Sequence, residues 1–128
     1  MKHLAILRQP FFDMVLNGEK TIESRWSKSK IAPYQKVNIG DEILLKLTGA
    51  PATATAKVKD VKYYELTPEI VEDIRIKYGN EIGTDKFKNW ESILQKKYCT
   101  LIWLEDVKTI KPLEVPRSNG AGWILLKD

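Results

Sequence analysis

The chain has 128 residues, 43% of them hydrophobic and 30% charged, with a formal net charge of +4. That length fits a single domain, 1–128, able to bury a core without staples, and no apolar run approaches the ~20 residues of a membrane span. One cysteine, Cys99, and one histidine, His3, exclude an internal disulfide, leave a structural zinc site short of ligands, and would rest any Ser-His or Cys-His nucleophile on a histidine at the frayed terminus.

Leu4-Ala5-Ile6-Leu7 reads as a short buried strand. The apolar stretch before Arg8 is too short for a secretory signal, so a cytoplasmic location is expected. Pro10 suits the first turn of a helix, and Phe11, Met14 and Val15 lie at i, i+3, i+4 on its apolar face. Gly18 ends it, and Lys20 to Trp26 follows as a strand. Residues 27–40 are loop-like, closing on Gly40-Asp41. Glu42 to Thr48 is a strand. Thr53 to Tyr64 alternates, then slips phase between Val58 and Val61, which predicts a bulge in a long, bent strand. Thr67 caps a helix with Pro68 at its first position, predicted to run to about Tyr78 and close at Gly79. Lys86 to Lys97 is predicted as a second helix with Phe87, Trp90, Ile93 and Leu94 on one face. Tyr98 to Val107 is a strand in which Cys99 reads as a buried small hydrophobe. Pro112 and Pro116 bracket an extended edge segment, and Trp123 to Leu126 is a last strand. Strands predominate and helices fall between strand groups, which predicts an α+β domain: a small mixed β-barrel with flanking helices.

The charged cluster Lys20-Thr21-Ile22-Glu23-Ser24-Arg25 has two readings. On a strand, Thr21, Glu23 and Arg25 share one face, with Ile22, Ser24 and Trp26 on the other. Such a strand is often a solvated mixed-charge surface worth little energy. The other reading is a built polar site. There Lys20 and Arg25 hold phosphate or a base edge, and Glu23 orients Arg25 or accepts from an amino group. A second candidate wall is Arg117-Ser118-Asn119-Gly120, followed by Trp123; it reads as a plain turn or as a base or phosphate clamp, and it fits neither a Walker nor a Rossmann glycine pattern. Trp90 and Trp103 sit in periodic apolar settings and read as core. Trp26 and Tyr34 flank the basic Ser27-Lys28-Ser29-Lys30 loop and read as nucleic-acid contacts.

Gly18-x-Lys20-x-x-Glu23-x-Arg25, set after a helix whose partner strand opens the chain, resembles the ASCH domain family, of PUA-like fold. Ile39-Gly40-Asp41-Glu42-Ile43 is similar to the family's Gly-Asp turn into a barrel strand. The resemblance implies a PUA-like barrel with a cleft holding the Lys-Glu-Arg cluster, and RNA or nucleotides as partners. It also implies an alternative activity, hydrolysis of a modified nucleoside such as N4-acetylcytidine, or of RNA. In the deacylating type a lysine, a threonine and a glutamate are catalytic. Lys20 matches the lysine; Glu23 stands where the threonine would be, and Thr21 is not the matching position; the helix carboxylate falls to Glu69 or Glu72.

The expectation is an RNA- or nucleotide-binding module. Its ligand-binding residues would be Lys20, Glu23, Arg25, Trp26, Arg117, Ser118, Asn119 and Gly120. In the enzyme alternative Lys20 and Glu23 would be catalytic, Glu23 as general base and Lys20 facing the developing oxyanion. No metal or cofactor is implied, and no membrane partner.

Overall fold

The structure, a computed structural model, describes residues 1–127. Strand alternation sets its architecture. In β4 (Ala52–Glu65), Ala52, Ala54, Ala56 and Val58 are buried and the residues between them are not, as a strand with one face on a core requires. Five further strands, β1 (Lys2–Leu7), β2 (Ile22–Ser27), β3 (Glu42–Leu47), β5 (Tyr98–Leu113) and β6 (Trp123–Leu126), join it in one sheet of order β2-β5-β4-β3-β1-β6. Among the described residues only β1 and β3 run parallel; the other pairings are antiparallel. The sheet is a curled, mixed half-barrel with helices beside it, the α+β fold expected.

The long β4–β5 ribbon bends where its register shifts, between Ala52 and Ala54, Thr55 and Lys57, and Val58 and Asp60. The last of these lies in the phase slip read from the sequence. Three apolar clusters result. The main one packs Phe12 and Val15 of α1 (Phe11–Leu16) against Ala5, Ile43, Leu45, Val58 and Ile102. A second puts Ile74 and Ile82 of α2 (Pro68–Ile82) over Ile22, Cys99 and Leu101. The third, Leu4, Leu44 and Ala52, is covered by Ile110, Val115 and Ile124. Among the described residues no helix is long and apolar enough to cross a membrane.

Two helix expectations are corrected. Helix α2 begins as read, with Thr67 Oγ1 accepting from Ile70 N–H, but it passes through Gly79 and ends at Ile82. Gly79 is there for a close approach: a β-carbon would lie 2.7 Å from Thr84 Oγ1, so the glycine admits a neighbour and does not stop the helix. Gly83, at φ 83°, is the left-handed cap. The helix expected over 86–97 reduces to a 3-10 turn at Thr84–Lys86 and one α turn, α3 (Trp90–Ile93). Phe87 is extended, Asn89 starts a new cap by accepting from Ser92 N–H, and Leu94 is 51% exposed. The chain is then drawn back into the sheet, where Lys97 N–H donates to Ser27 O and Lys97 O accepts from Leu66 N–H.

His3 is also corrected: it is not at a frayed end but fully buried in β1. Its Nδ1 lies 3.1 Å from the Trp123 indole nitrogen and its Nε2 2.8 Å from Asp41 Oδ2. An indole N–H only donates, so Nδ1 is the acceptor and the ring proton sits on Nε2, donated to Asp41. Tyr34 is likewise no open contact: it is buried, packed on Tyr63 and Tyr98. Trp90 and Trp103, read as core, are half-buried.

Candidate functional site

The half-barrel has a seam. Strand β2 pairs with β5 on one side and lies at the sheet edge on the other, facing the C-terminal end of β1 and the turn before β6. At this seam the charged residues of the motif meet.

Lys20 enters from the turn after α1, where Gly18 has φ 85° and Lys20 N–H donates to Met14 O at 2.9 Å. Its side chain is 2% exposed. The ammonium donates to Ile82 O, the last carbonyl of α2, at 2.5 Å, and lies 3.6 Å from Glu23 Oε1 and 5.3 Å from the centre of the Phe11 ring. A helix C-terminus leaves carbonyls without intrahelical partners and carries partial negative charge, so it is a natural seat for a cation. Glu23 is buried; its Oε1 accepts the Ser24 N–H at 2.9 Å and its Oε2 lies 3.5 Å from Arg25 Nη2. Arg25 crosses the seam. Its Nη1 donates to Gly122 O at 2.8 Å, its Nη2 to Ile6 O at 3.0 Å, and its guanidinium sits 5.3 Å from the Trp123 ring. Trp123 is held in turn by His3 and Asp41, so a buried polar chain stands behind the arginine.

Burial pushes the Lys20 pKa down, against the pull of Glu23, and nearby Arg25 pushes the same way. Burial would raise Glu23, but Lys20, Arg25 and the Ser24 amide outweigh it and hold the carboxyl below its usual range. Asp41 is held low in the same fashion: the His3 and Asn38 hydrogen bonds and the terminal amine overcome its burial. Folded Glu23 and Asp41 therefore bind fewer protons than the unfolded chain once the pH falls to about 4, and stability drains as pH drops through their lower folded values. Urea midpoints followed by tryptophan fluorescence should fall steeply as the pH drops below about 4. Glu23→Gln or Asp41→Asn should flatten that acid limb, and an unchanged limb in both would remove the assignment.

Beside the cluster opens a pocket of about 460 Å³, within the range of small-molecule sites. Lys20, Glu23, Ser24, Arg25 and Trp26 form one wall, Ser118 and Gly120 to Gly122 another. Of the residues read from the sequence, six therefore converge: Lys20, Glu23, Arg25, Trp26, Ser118 and Gly120. Arg117 and Asn119 do not line it. Asn119, at φ 52°, serves the turn that Ala121 N–H closes onto Ser118 O. Ser24 and Trp26, read as the opposite face of the strand, line the same pocket as Glu23 and Arg25; the Trp26 indole donates to Ser24 Oγ at 2.9 Å. Neither helix carboxylate takes part. Glu69 and Glu72 are exposed, and Glu72 pairs with Arg75.

The sequence reading missed Arg8, Phe11, Thr48 and Phe87, which complete the pocket. Arg8 and Thr48 follow the C-terminal ends of β1 and β3, and Thr48 N–H donates to Leu7 O. Those strands are parallel, so their ends share a rim. A cation directly after a buried strand was the available signal for Arg8; nothing local marks Phe87, which arrives from a distant loop.

Three comparisons bear on this arrangement. The ASCH domain model matches residues 6–114. No curated protein matches the sequence. The crystal structure of ASCH from Zymomonas mobilis superposes with a TM-score of 0.71 at 17% identity, covering 98% of this chain and 87% of that one. Two variants of that protein, one with phenylalanine for a tyrosine and one with alanine for a serine, give TM-scores of 0.72 and 0.74 at 15% and 14% identity. They cover 98% of this chain and 90% and 88% of their own. At these identities the likeness is one of fold.

Proposed function

Because the chain belongs to the ASCH domain family, a PUA-like family associated with RNA binding, we propose that the seam pocket binds an unpaired nucleotide of an RNA. The observation that carries this reading is the convergence of a buried Lys20–Glu23 pair with the aromatic walls Phe11, Trp26 and Phe87 in one cavity. Aromatic faces stack bases whatever their identity. Glu23 accepts from an exocyclic amino group, the Ser24 hydroxyl is free to donate while it accepts from Trp26, and Arg8 at the rim takes phosphate. Unpaired RNA presents its bases in this way; duplex RNA does not. Arg25 shapes the site more than it touches ligand, since its guanidinium is engaged by Ile6, Gly122 and Glu23.

The deacylase alternative needs a helix carboxylate near Lys20, and α2 supplies none to the pocket, which favours binding over that reaction. Fluorescence anisotropy with single-stranded RNA tests the proposal. Affinity should fall as salt rises from roughly 50 to 200 mM, and Arg8→Ala should reduce the slope by about 0.7. Trp26→Ala should weaken binding by about 1–3 kcal/mol, the worth of one stacked base. Affinity indifferent to salt and to Trp26→Ala would sink the reading. Turnover of acylated cytidine or cleavage of RNA, lost in Glu23→Gln with binding intact, would replace it with an enzyme.

A further inference from the structure

A second, smaller cavity of about 150 Å³ adjoins the main pocket at Arg25. Ile31, Ala32, Pro33, Thr100 and Trp123 wall it, and it shares Arg25, Trp26 and Gly122 with the main pocket. The partition between the two cavities thus includes a guanidinium and an indole. An indole in such a partition offers a surface on which a base can stack.

The surroundings select an anionic occupant. From Ser24 to Gly40 the chain carries Arg25, Lys28, Lys30 and Lys36 and no aspartate or glutamate. Lys28 and Lys30 are exposed, and neither belongs to an ion pair among the described residues. Ile31, next to Lys30 in the chain and part of the cavity wall, is 60% exposed. An apolar rim with unpaired lysines beside it fits a base entering with its phosphate over the lysines.

Resting on the reading of the main pocket as a nucleotide site, we infer that the small cavity is a subsite for the adjacent nucleotide of the same RNA strand. The ligand is then an oligonucleotide spanning Arg25, not a free nucleoside. The free nucleoside needs one cavity; a strand uses both, passing over the Arg25–Trp26 partition with Lys28 and Lys30 following its backbone.

The test is a tryptophan-fluorescence titration with 5′-phosphorylated mononucleotides and with 5′-phosphorylated ribodinucleotides. The dinucleotides should bind about tenfold tighter or better, as expected for one more stacked base. Ile31→Glu should erase that advantage and leave mononucleotide binding as it was. Ile31→Asn should erase most of it without adding charge. Ile39→Glu, the same charge change on the same loop outside the cavity wall, should leave it intact. Dinucleotides no tighter than mononucleotides, or an advantage that survives both Ile31 changes, would overturn the second subsite with the main site standing. Absence of binding by either ligand class would overturn both.

Discussion

Arg25→Ala is expected to cost about 3 kcal/mol of stability and to abolish RNA binding, although Arg25 is a seam residue and not part of the apolar core. Its side chain is 22% exposed and joins three separate pieces of chain. One nitrogen serves Gly122 O, the other Ile6 O, and Glu23 lies against the latter. Hydrogen bonds from a charged donor are worth about 1.5–3 kcal/mol each. Truncation also leaves the buried Glu23 with one cation in place of two. Arg25→Lys keeps the charge but cannot fork to both carbonyls, and should recover less than half of the loss. Gly122→Ala attacks the same contact from the other side, since a β-carbon there would lie 2.8 Å from Arg25 Nη1. Urea midpoints give the stability change and anisotropy gives the affinity. An Arg25→Ala protein within about 0.5 kcal/mol of the parent would show that the seam is held by something else.

The second large effect is non-additive. Lys20→Met and Glu23→Gln should each destabilise by about 3 kcal/mol, because the first leaves buried Glu23 with Arg25 alone and the second leaves buried Lys20 with no carboxylate. The double variant should lose markedly less than the sum, with a coupling of about 2 kcal/mol, since it removes both charges from a buried site at nearly constant volume. Lys20 retains a claim on Ile82 O and Glu23 a claim on the Ser24 amide, so the coupling is smaller than either single loss. Additive losses would mean that the two groups are held by these backbone partners alone and that their 3.6 Å approach is incidental. The same proteins carry the functional comparison. The double variant, folded but without the pair, should stack bases on Trp26 yet no longer distinguish among them.

The strand order and the site drew on different kinds of information. Period-two alternation in 53–58 announced β4, and its slip announced the bend, because those features are written by local burial. Placing Glu23 beside Arg25 also followed from local geometry, and the two meet as the pleat requires. What α3 would become did not follow from the apolar spacing of Phe87, Trp90, Ile93 and Leu94. There the cap at Asn89 and the demand for Lys97 in the sheet outweighed helical periodicity. Gly79 misled for a related reason: a glycine can serve a neighbour's side chain as well as a turn. Arg117 and Ser118 are adjacent in sequence, yet only Ser118 faces the pocket. No pattern in one strand could show that Arg25 would spend its donors on backbone groups of Ile6 and Gly122, 19 and 97 residues away.

The seam also bears on how this protein meets other copies of itself. An open sheet offers its free edge as a template on which a foreign strand can add, and addition repeated is the start of a fibre. Here the outward amide of Ser24 is already taken by the carboxylate of Glu23, and Arg25 occupies the carbonyls across the gap. The polar groups of the pocket therefore act as a guard on the edge of β2. Evolution of a new ligand preference at this place is constrained from a second direction: a substitution that suits the ligand but unblocks the edge trades selectivity for self-association.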